Sequence, residues 1–197
     1  IAGLQLELIE HDSSQYILRD LLARRSLKIN DTLFTAQDLD YVIVDTPPGL
    51  DLLTINALTA AERLIVPVQA EYLALEGLSQ MIETFTRVRE AFNPGLTLMQ
   101  VLITMYDVRL CLARAVGEDI RTKLDEQSAI QVMKTVIPRS VKLAEAPSFG
   151  LPVMLFDPAS SGALAYIELA KEVMSDEETG SRPGSGDPAA EVQSIAV

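Results

Sequence analysis

The sequence predicts an open α/β layer fold built on a mostly parallel sheet. Three observations predict it. Apolar runs of strand length recur and are continuous rather than alternating, as expected of strands covered on both faces. Longer segments with apolar residues at three- and four-residue steps separate them. The order of the two patterns is β-α-β-α-β-α-β-α, which argues right-handed crossovers between parallel strands.

The elements justify this in turn. The first forty residues read as mostly helical, with Ile17, Leu18, Leu21 and Leu22 on one face and Arg19, Asp20, Arg24 and Arg25 elsewhere. Tyr41-Val42-Ile43-Val44 is a strand ending at Asp45, and Leu50 to Ala61 is a helix. Leu64-Ile65-Val66 is a second strand, stopped by Pro67. Leu78, Met81, Ile82, Phe85, Val88 and Phe92 mark a helix that Asn93-Pro94-Gly95 ends. Leu98 to Tyr106 is a third strand, and Val116, Ile120 and Leu124 lie on a following helix. A short strand ends at Val136-Ile137 and a fifth lies near Val153-Leu155. Ser161 to Met174 is a helix with Ser160 or Ser161 as its N-cap. Residues 1–174 therefore form one domain. Ser175 to Val197, rich in acidic residues, proline and glycine, reads as a disordered acidic tail.

Composition bounds the function. A chain of 197 residues, 48% hydrophobic, holds enough apolar material for one core. Its net charge of −12 gives no bulk attraction to nucleic acid, so DNA binding would need a local basic patch. The one cysteine, Cys111, cannot form an internal disulfide and reads as an ordinary core or helix residue. Apolar runs are too short to span a membrane, and the first residues lack a signal-peptide pattern.

In doubly wound sheets ligands sit beyond the carboxyl ends of the strands. Three strand ends carry informative residues. Asp45 follows four apolar residues, the form of a Walker B strand whose carboxylate holds a nucleotide-bound Mg²⁺ directly or through water. Its bland reading is an aspartate capping the next helix. Thr46-Pro47-Pro48-Gly49 behind it has the stiffness and the hinge of a switch loop. Thr104-Met105-Tyr106-Asp107 could meet a base edge or form a plain turn, and spacing does not choose. Pro138-Arg139-Ser140-Val141-Lys142 suits a base and its neighbouring phosphates, and equally a surface loop.

Blocks in fixed order then carry a resemblance. Asp45-Thr46-Pro47-Pro48, Leu53 to Leu58, Pro67 to Tyr72, Leu75-Glu76-Gly77-Leu78, Thr104 to Asp107, Ile137-Pro138-Arg139 and Leu143 to Gly150 resemble the middle of ParA/Soj partition ATPases. The likeness covers Leu39 to Met174. It implies a P-loop NTPase-type three-layer fold of the deviant Walker class. Such proteins dimerise around ATP and Mg²⁺, hydrolyse ATP, bind DNA non-specifically and answer to a ParB-type (Spo0J-like) partner in chromosome or plasmid partition. The implied location is cytoplasmic and nucleoid-associated. By resemblance Asp45 is the catalytic Walker B and metal-holding residue, and Thr46, Pro47, Pro48 and Gly49 are switch II. Thr104, Met105, Pro138 and Arg139 line the adenine pocket, and Arg109 and Lys142 contact DNA.

The sequence also departs from the family. The P-loop strand and its Lys-Gly-Gly-Val-Gly-Lys-Thr loop do not occur, so the fold is expected to be partial, with more chain expected ahead of Ile1. Ser140 replaces a usual Asn, and the segment from Leu124 to Ile130 is long by the family's standard. Three readings stand: a fragment of an active ATPase, inactive alone; a shortened non-catalytic paralogue that only binds a partner; or an unrelated α/β enzyme.

Overall fold

Apolar strands that alternate with amphipathic helices favour burying both faces of a sheet, and the chain buries most of Leu98–Tyr106 while Ile43 stays 69% exposed. The computed structural model describes residues 14–23, 26–29, 32–35, 39–47, 49, 51–124, 129–179 and 193–196. A short 3₁₀ turn (Ser14–Tyr16) leads into α1 (Ile17–Ala23), β1 (Ser26–Ile29), β2 (Thr32–Thr35), β3 (Tyr41–Val44) and α2 (Leu52–Ala60). Then come β4 (Arg63–Gln69), α3 (Ala74–Ala91), β5 (Leu98–Tyr106), α4 (Cys111–Leu124) and β6 (Ile130–Pro138). The chain continues through α5 (Val141–Glu145), a 3₁₀ turn (Ala146–Phe149), α6 (Val153–Phe156), α7 (Ser161–Thr179) and β7 (Gln193–Ala196). Five strands make one mostly parallel sheet in the order β3-β7-β4-β5-β6. The α/β class expected from the sequence is the class observed.

The chain divides into two units, residues 1–65, 79–99 and 187–197 in one, and 66–78 and 100–186 in the other. In the first unit, Leu58, Phe85, Val88, Leu96 and Met99 are buried. Two buried polar side chains of α2 seat the first helix. Asn56 Nδ2 donates to the Ser14 carbonyl at 2.6 Å and its Oδ1 accepts from Leu18 N–H at 3.2 Å, while Thr59 Oγ1 donates to the Gln15 carbonyl. Paired in this way, buried polar groups cost little, whereas unpaired they would destabilise the fold. Asn93 Nδ2, beyond the end of α3, donates to the Leu58 and Ala61 carbonyls at the end of α2.

In the second unit, Val101 and Ile103 of β5, Val116, Ile120 and Leu124 of α4, and Met133 and Ile137 of β6 are buried. Ser160 Oγ accepts from Ala163 N–H at 3.2 Å and caps α7. A Cβ on Gly162 would lie 2.5 Å from Leu143 Cγ, so only glycine lets α7 approach α5 this closely. Glu172 of α7 accepts from the Lys134 and Thr135 backbone N–H groups of β6 at 2.6 and 2.8 Å. Burial pushes its pKa up, but the hydrogen bonds from Thr135 and Lys134 win and hold the carboxyl below its ordinary value.

The structure corrects the sequence reading in four places. Ser26–Ile29 and Thr32–Thr35 pair as antiparallel strands instead of helix, with Ile29 opposite Thr32. The sequence between the two strands, Asn30-Asp31, is a turn-prone dipeptide. β4 runs through Pro67 to Gln69, because a strand tolerates proline where the missing N–H is not needed. Val153–Phe156 is a helical turn, not a strand, with Pro152 at its N-cap. Cys111, read as a core or helix residue, is the first residue of α4 and is exposed. Finally, α7 extends to Thr179 and Gln193–Ala196 is a strand, with Ile195 and Ala196 buried, where a disordered tail was expected. A short segment that finds two strand edges gains pairing that local composition does not announce.

Replacing Glu172 with Gln puts an amide N–H₂ where a carboxylate oxygen accepts. We expect Glu172→Gln to destabilise the chain by about 1–3 kcal/mol, the cost of a charged acceptor removed from backbone donors. Urea denaturation checks this: the midpoint falls at unchanged slope.

Candidate functional site

The end of β3 forms the first candidate site. Asp45 follows Val44 directly and is exposed. The N-cap of α2 is Asp51, whose carboxylate accepts from Leu53 and Thr54 N–H, both at 3.1 Å. The helix-cap reading of Asp45 is thereby removed, and its carboxylate is not consumed by α2. Thr54 Oγ1 donates to the Gly49 carbonyl at 2.8 Å, which closes the turn between strand and helix. Gly49 has φ of +130°, a conformation that side chains disfavour. Thr46 and Pro47 are half-buried, and Pro48 lies outside the described residues.

The second candidate site lies at the ends of β5 and β6. Thr104 C=O accepts from Ala70 N–H at 3.2 Å, and Tyr106 C=O accepts from Arg139 N–H at 3.0 Å. Between these two fixed carbonyls Met105 takes φ of +51°, a left-handed conformation costing a non-glycine residue about 1 kcal/mol or more. Beyond it a cavity of about 730 Å³ opens, within the size range of ligand pockets. Tyr106, Asp107, Val108 and Arg109 line it from the end of β5, Val136, Pro138, Arg139 and Val141 from the end of β6, and Ser161 and Ala165 from α7.

Of the residues assigned by resemblance, Pro138, Arg139 and Arg109 meet at this cavity; Thr104 and Met105 do not line it. Met105 turns its side chain outward and is 55% exposed. Lys142, on α5, is absent from the lining; its Nζ pairs with Glu145 at 3.0 Å and sits 5.6 Å from the Phe156 ring centre. Ala165 was not singled out in the sequence, and Ser161 only as a candidate helix cap. Their only sequence signal is an i, i+4 placement of small residues at the start of a capped helix.

Asp107 and Arg109 form the sharpest electrostatic feature. Arg109 Nε and Nη2 donate to the two Asp107 carboxylate oxygens at 2.9 and 2.7 Å, and the Arg109 backbone N–H adds a third bond at 3.0 Å. The carboxylate is mostly covered, while the Arg109 side chain is 84% exposed. Hydrogen bonds from the Arg109 side chain and then its N–H lower the Asp107 pKa to about 2, and the same contact raises that of Arg109. The two cations assigned to DNA, Arg109 and Lys142, thus each sit at the surface with a carboxylate partner.

Several known proteins are similar to this chain. The Soj sporulation inhibitor of Bacillus subtilis is 44% identical over 88% of this chain and 63% of its own length. The ParA chromosome partitioning protein of Caulobacter vibrioides is 42% identical over 90% of this chain and 62% of its own. A family profile described as an AAA domain matches residues 1–98. The chain belongs to the ParA/Soj family. It spans under two thirds of the length of these ParA/Soj relatives. Among solved structures, cobyrinic acid a,c-diamide synthase from Mycobacterium smegmatis, with bound ADP and magnesium, superposes with a TM-score of 0.65. It is 30% identical and the match covers 95% of this chain and 63% of that one. The ParA/Soj sequence blocks and the P-loop ATPase fold thus agree.

The Asp107–Arg109 pair has a defined acid response. Its folded pKa lies below the ordinary 3.8, so the stability it contributes is complete above about 3.8 and is lost as pH falls toward 2. We expect the Asp107 carboxyl to titrate near 2 by carbon NMR and to return toward 3.8 in Arg109→Ala.

Proposed function

We propose that this chain is the nucleotide-gripping and DNA-facing portion of a ParA/Soj-type partition ATPase. The observation that carries the reading is Asp45: it ends an apolar strand, stays exposed, and leaves the capping of α2 to Asp51. The cavity beside Pro138 and Arg139 supports it as a seat for a flat base.

The residues present fit Mg²⁺ and ATP in part. An exposed aspartate is the hard oxygen donor that Mg²⁺ takes. Among the described residues no group of three or more His, Cys, Asp or Glu could hold a metal. Asp45 would share the ion with nucleotide phosphates, the usual arrangement for Mg²⁺. When bound, the ion neutralises charge on the phosphate oxygens. Pro138 would pack against the base and Arg139 would present its charge to it or to the adjacent phosphates. Gly49 and Pro47 would let the segment after Asp45 respond to what Asp45 holds. The sequence contains no glycine-rich lysine loop, and backbone N–H groups of that kind supply much of the stabilisation of a transferred phosphoryl group. The chain by itself is accordingly a holder without the catalytic cradle.

Dimerisation around ATP, non-specific DNA binding and release by a ParB-type partner complete the proposal. Among the described residues no helix is long and apolar enough to cross a membrane. Arg109 and Lys142 would be the phosphate contacts. Each must give up, or share, a carboxylate partner to make one, so the binding is weak and salt-sensitive.

Two experiments test this. The 197-residue chain alone should show no ATP turnover above background. A fusion supplying the N-terminal third of a Soj relative should hydrolyse ATP with Mg²⁺, and Asp45→Ala should lower that rate by roughly a hundredfold or more, as loss of a transition-state charge does. Normal turnover in the Asp45→Ala fusion would remove the Walker B assignment. In anisotropy titrations of the same fusion with ATP, Arg109→Ala with Lys142→Ala should reduce the salt slope of DNA affinity by about 0.9 for each phosphate no longer neutralised. An unchanged slope would take both residues out of the DNA surface.

A further inference from the structure

The two cations assigned to DNA are held in different ways. Lys142 Nζ meets one oxygen of Glu145 at 3.0 Å, and both side chains are open to solvent. Arg109 instead lies in a fork, with Nε and Nη2 donating to the two oxygens of Asp107. The Asp107 side chain is 14% exposed against 84% for Arg109. That carboxylate is also pinned from behind. It accepts from the Arg109 backbone N–H, and Leu110 N–H donates to the Asp107 carbonyl at 3.0 Å, so residues 107–110 close a turn. One residue earlier, the Tyr106 carbonyl accepts from Arg139 N–H and ties the turn to β6. The covered partner is the fixed one, and the exposed guanidinium takes its direction from it.

A guanidinium can meet a pair of oxygens along more than one edge. Asp107 occupies the Nε–Nη2 edge, and among the described residues Nη1 makes no hydrogen bond. We propose that Asp107 is a positioning residue: it holds Arg109 with the Nη1–Nη2 edge free for a DNA backbone phosphate, and it stays paired while that phosphate is bound. The inference rests on the DNA reading of Arg109 and adds how the contact is made. Two effects oppose each other here. A carboxylate near the contact repels the phosphate, but across the width of a guanidinium in solvent that repulsion is screened. An unheld arginine must give up its rotamer freedom on binding, whereas a held one has already done so. The fork is anchored to the backbone at both of its ends, so the second effect is the larger. The outcome has a sign that charge alone does not give. Removing this carboxylate makes the protein less acidic and yet weakens its hold on DNA. Lys142, with a single contact to an exposed partner, has no such dependence on Glu145.

The test is a double-mutant cycle in the fusion that supplies the N-terminal third of a Soj relative. It uses ATP, a mixed-sequence DNA duplex and salt low enough for the Arg109→Ala fusion still to bind. Asp107→Ser keeps a side-chain oxygen for the turn but does not reach the guanidinium. It should lower DNA affinity about three- to tenfold in the parent fusion and leave it unchanged in the Arg109→Ala fusion. The isosteric Asp107→Asn serves should the serine variant fail to fold, and its affinity should also fall below the parent's. Without DNA, the Arg109 Nε–H should exchange slowly by nitrogen-edited NMR in the parent and rapidly in either variant. Tighter DNA binding after either substitution would overturn the proposal and make Asp107 a competitor of the phosphate. Unchanged affinity, or a fast-exchanging Arg109 Nε–H in the parent, would overturn it as well. An equal loss with and without Arg109 would overturn it in favour of a purely structural role for the turn. These four results leave the DNA reading in place. Affinity that does not depend on Arg109 at all would remove that reading, and this inference with it.

Discussion

The strand that presents Asp45 has only one neighbour among the described strands. In the sheet order β3-β7-β4-β5-β6, β3 is terminal and meets the sheet through β7 alone. Parallel strands cannot be joined by a tight hairpin, so each needs a distant segment of chain beside it. For β3 that segment is the last described stretch of the molecule, with Tyr41 opposite Gln193 and Val44 opposite Ala196. The position of Asp45 is therefore fixed by two constraints of opposite range. Behind it is long-range pairing to Ser194, Ile195 and Ala196. Ahead of it is a local device, the Asp51 cap with Thr54 donating to the Gly49 carbonyl. Between these two constraints the Asp45 residue stays exposed.

The β5 and β6 ends use a different device. There the strands are clamped by carbonyls on either side of Met105, and the clamp forces Met105 into a left-handed backbone. Strain of this kind persists only where its surroundings over-determine it. Just beyond the strained residue lies Asp107, locked by three hydrogen bonds from Arg109. The fork makes Arg109 a fixed part of the cavity rim rather than a free cation. Its exposure and its charge point outward, but its partner lowers the local field.

The sequence disclosed what local chemistry decides. Leu98–Tyr106 was legible to the residue because a continuous apolar run has one solution in a parallel sheet. The cap of α7 was legible because serine before a helical period has a mechanism. Asp45 was legible as a strand-end carboxylate, although the capping aspartate proved to be Asp51. Long-range partnership was not legible. Nothing in Gln193-Ser194-Ile195-Ala196 marks a strand until two edges are offered to it. The same holds for the cavity, whose α7 wall, Ser161 and Ala165, is placed by packing of α7 on β6 and by Glu172 anchoring to Lys134 and Thr135. The β1–β2 pair was missed because four-residue strands are too short for period two to outweigh the helical run before them.

On the proposed reading, these features would take only part of the work of a phosphoryl-transfer site. Phosphoryl transfer needs positioning of the nucleotide and electrostatic stabilisation of the transferred group. On the proposed reading the first would draw on the exposed strand-end carboxylate of one unit and, separately, on the cavity of the other with a proline and two arginines at its rim. The second depends on backbone N–H groups and lysines converging on phosphate, and no glycine-rich lysine loop occurs in the sequence. Positioning without stabilisation gives binding without appreciable rate, because only interactions stronger in the transition state accelerate chemistry.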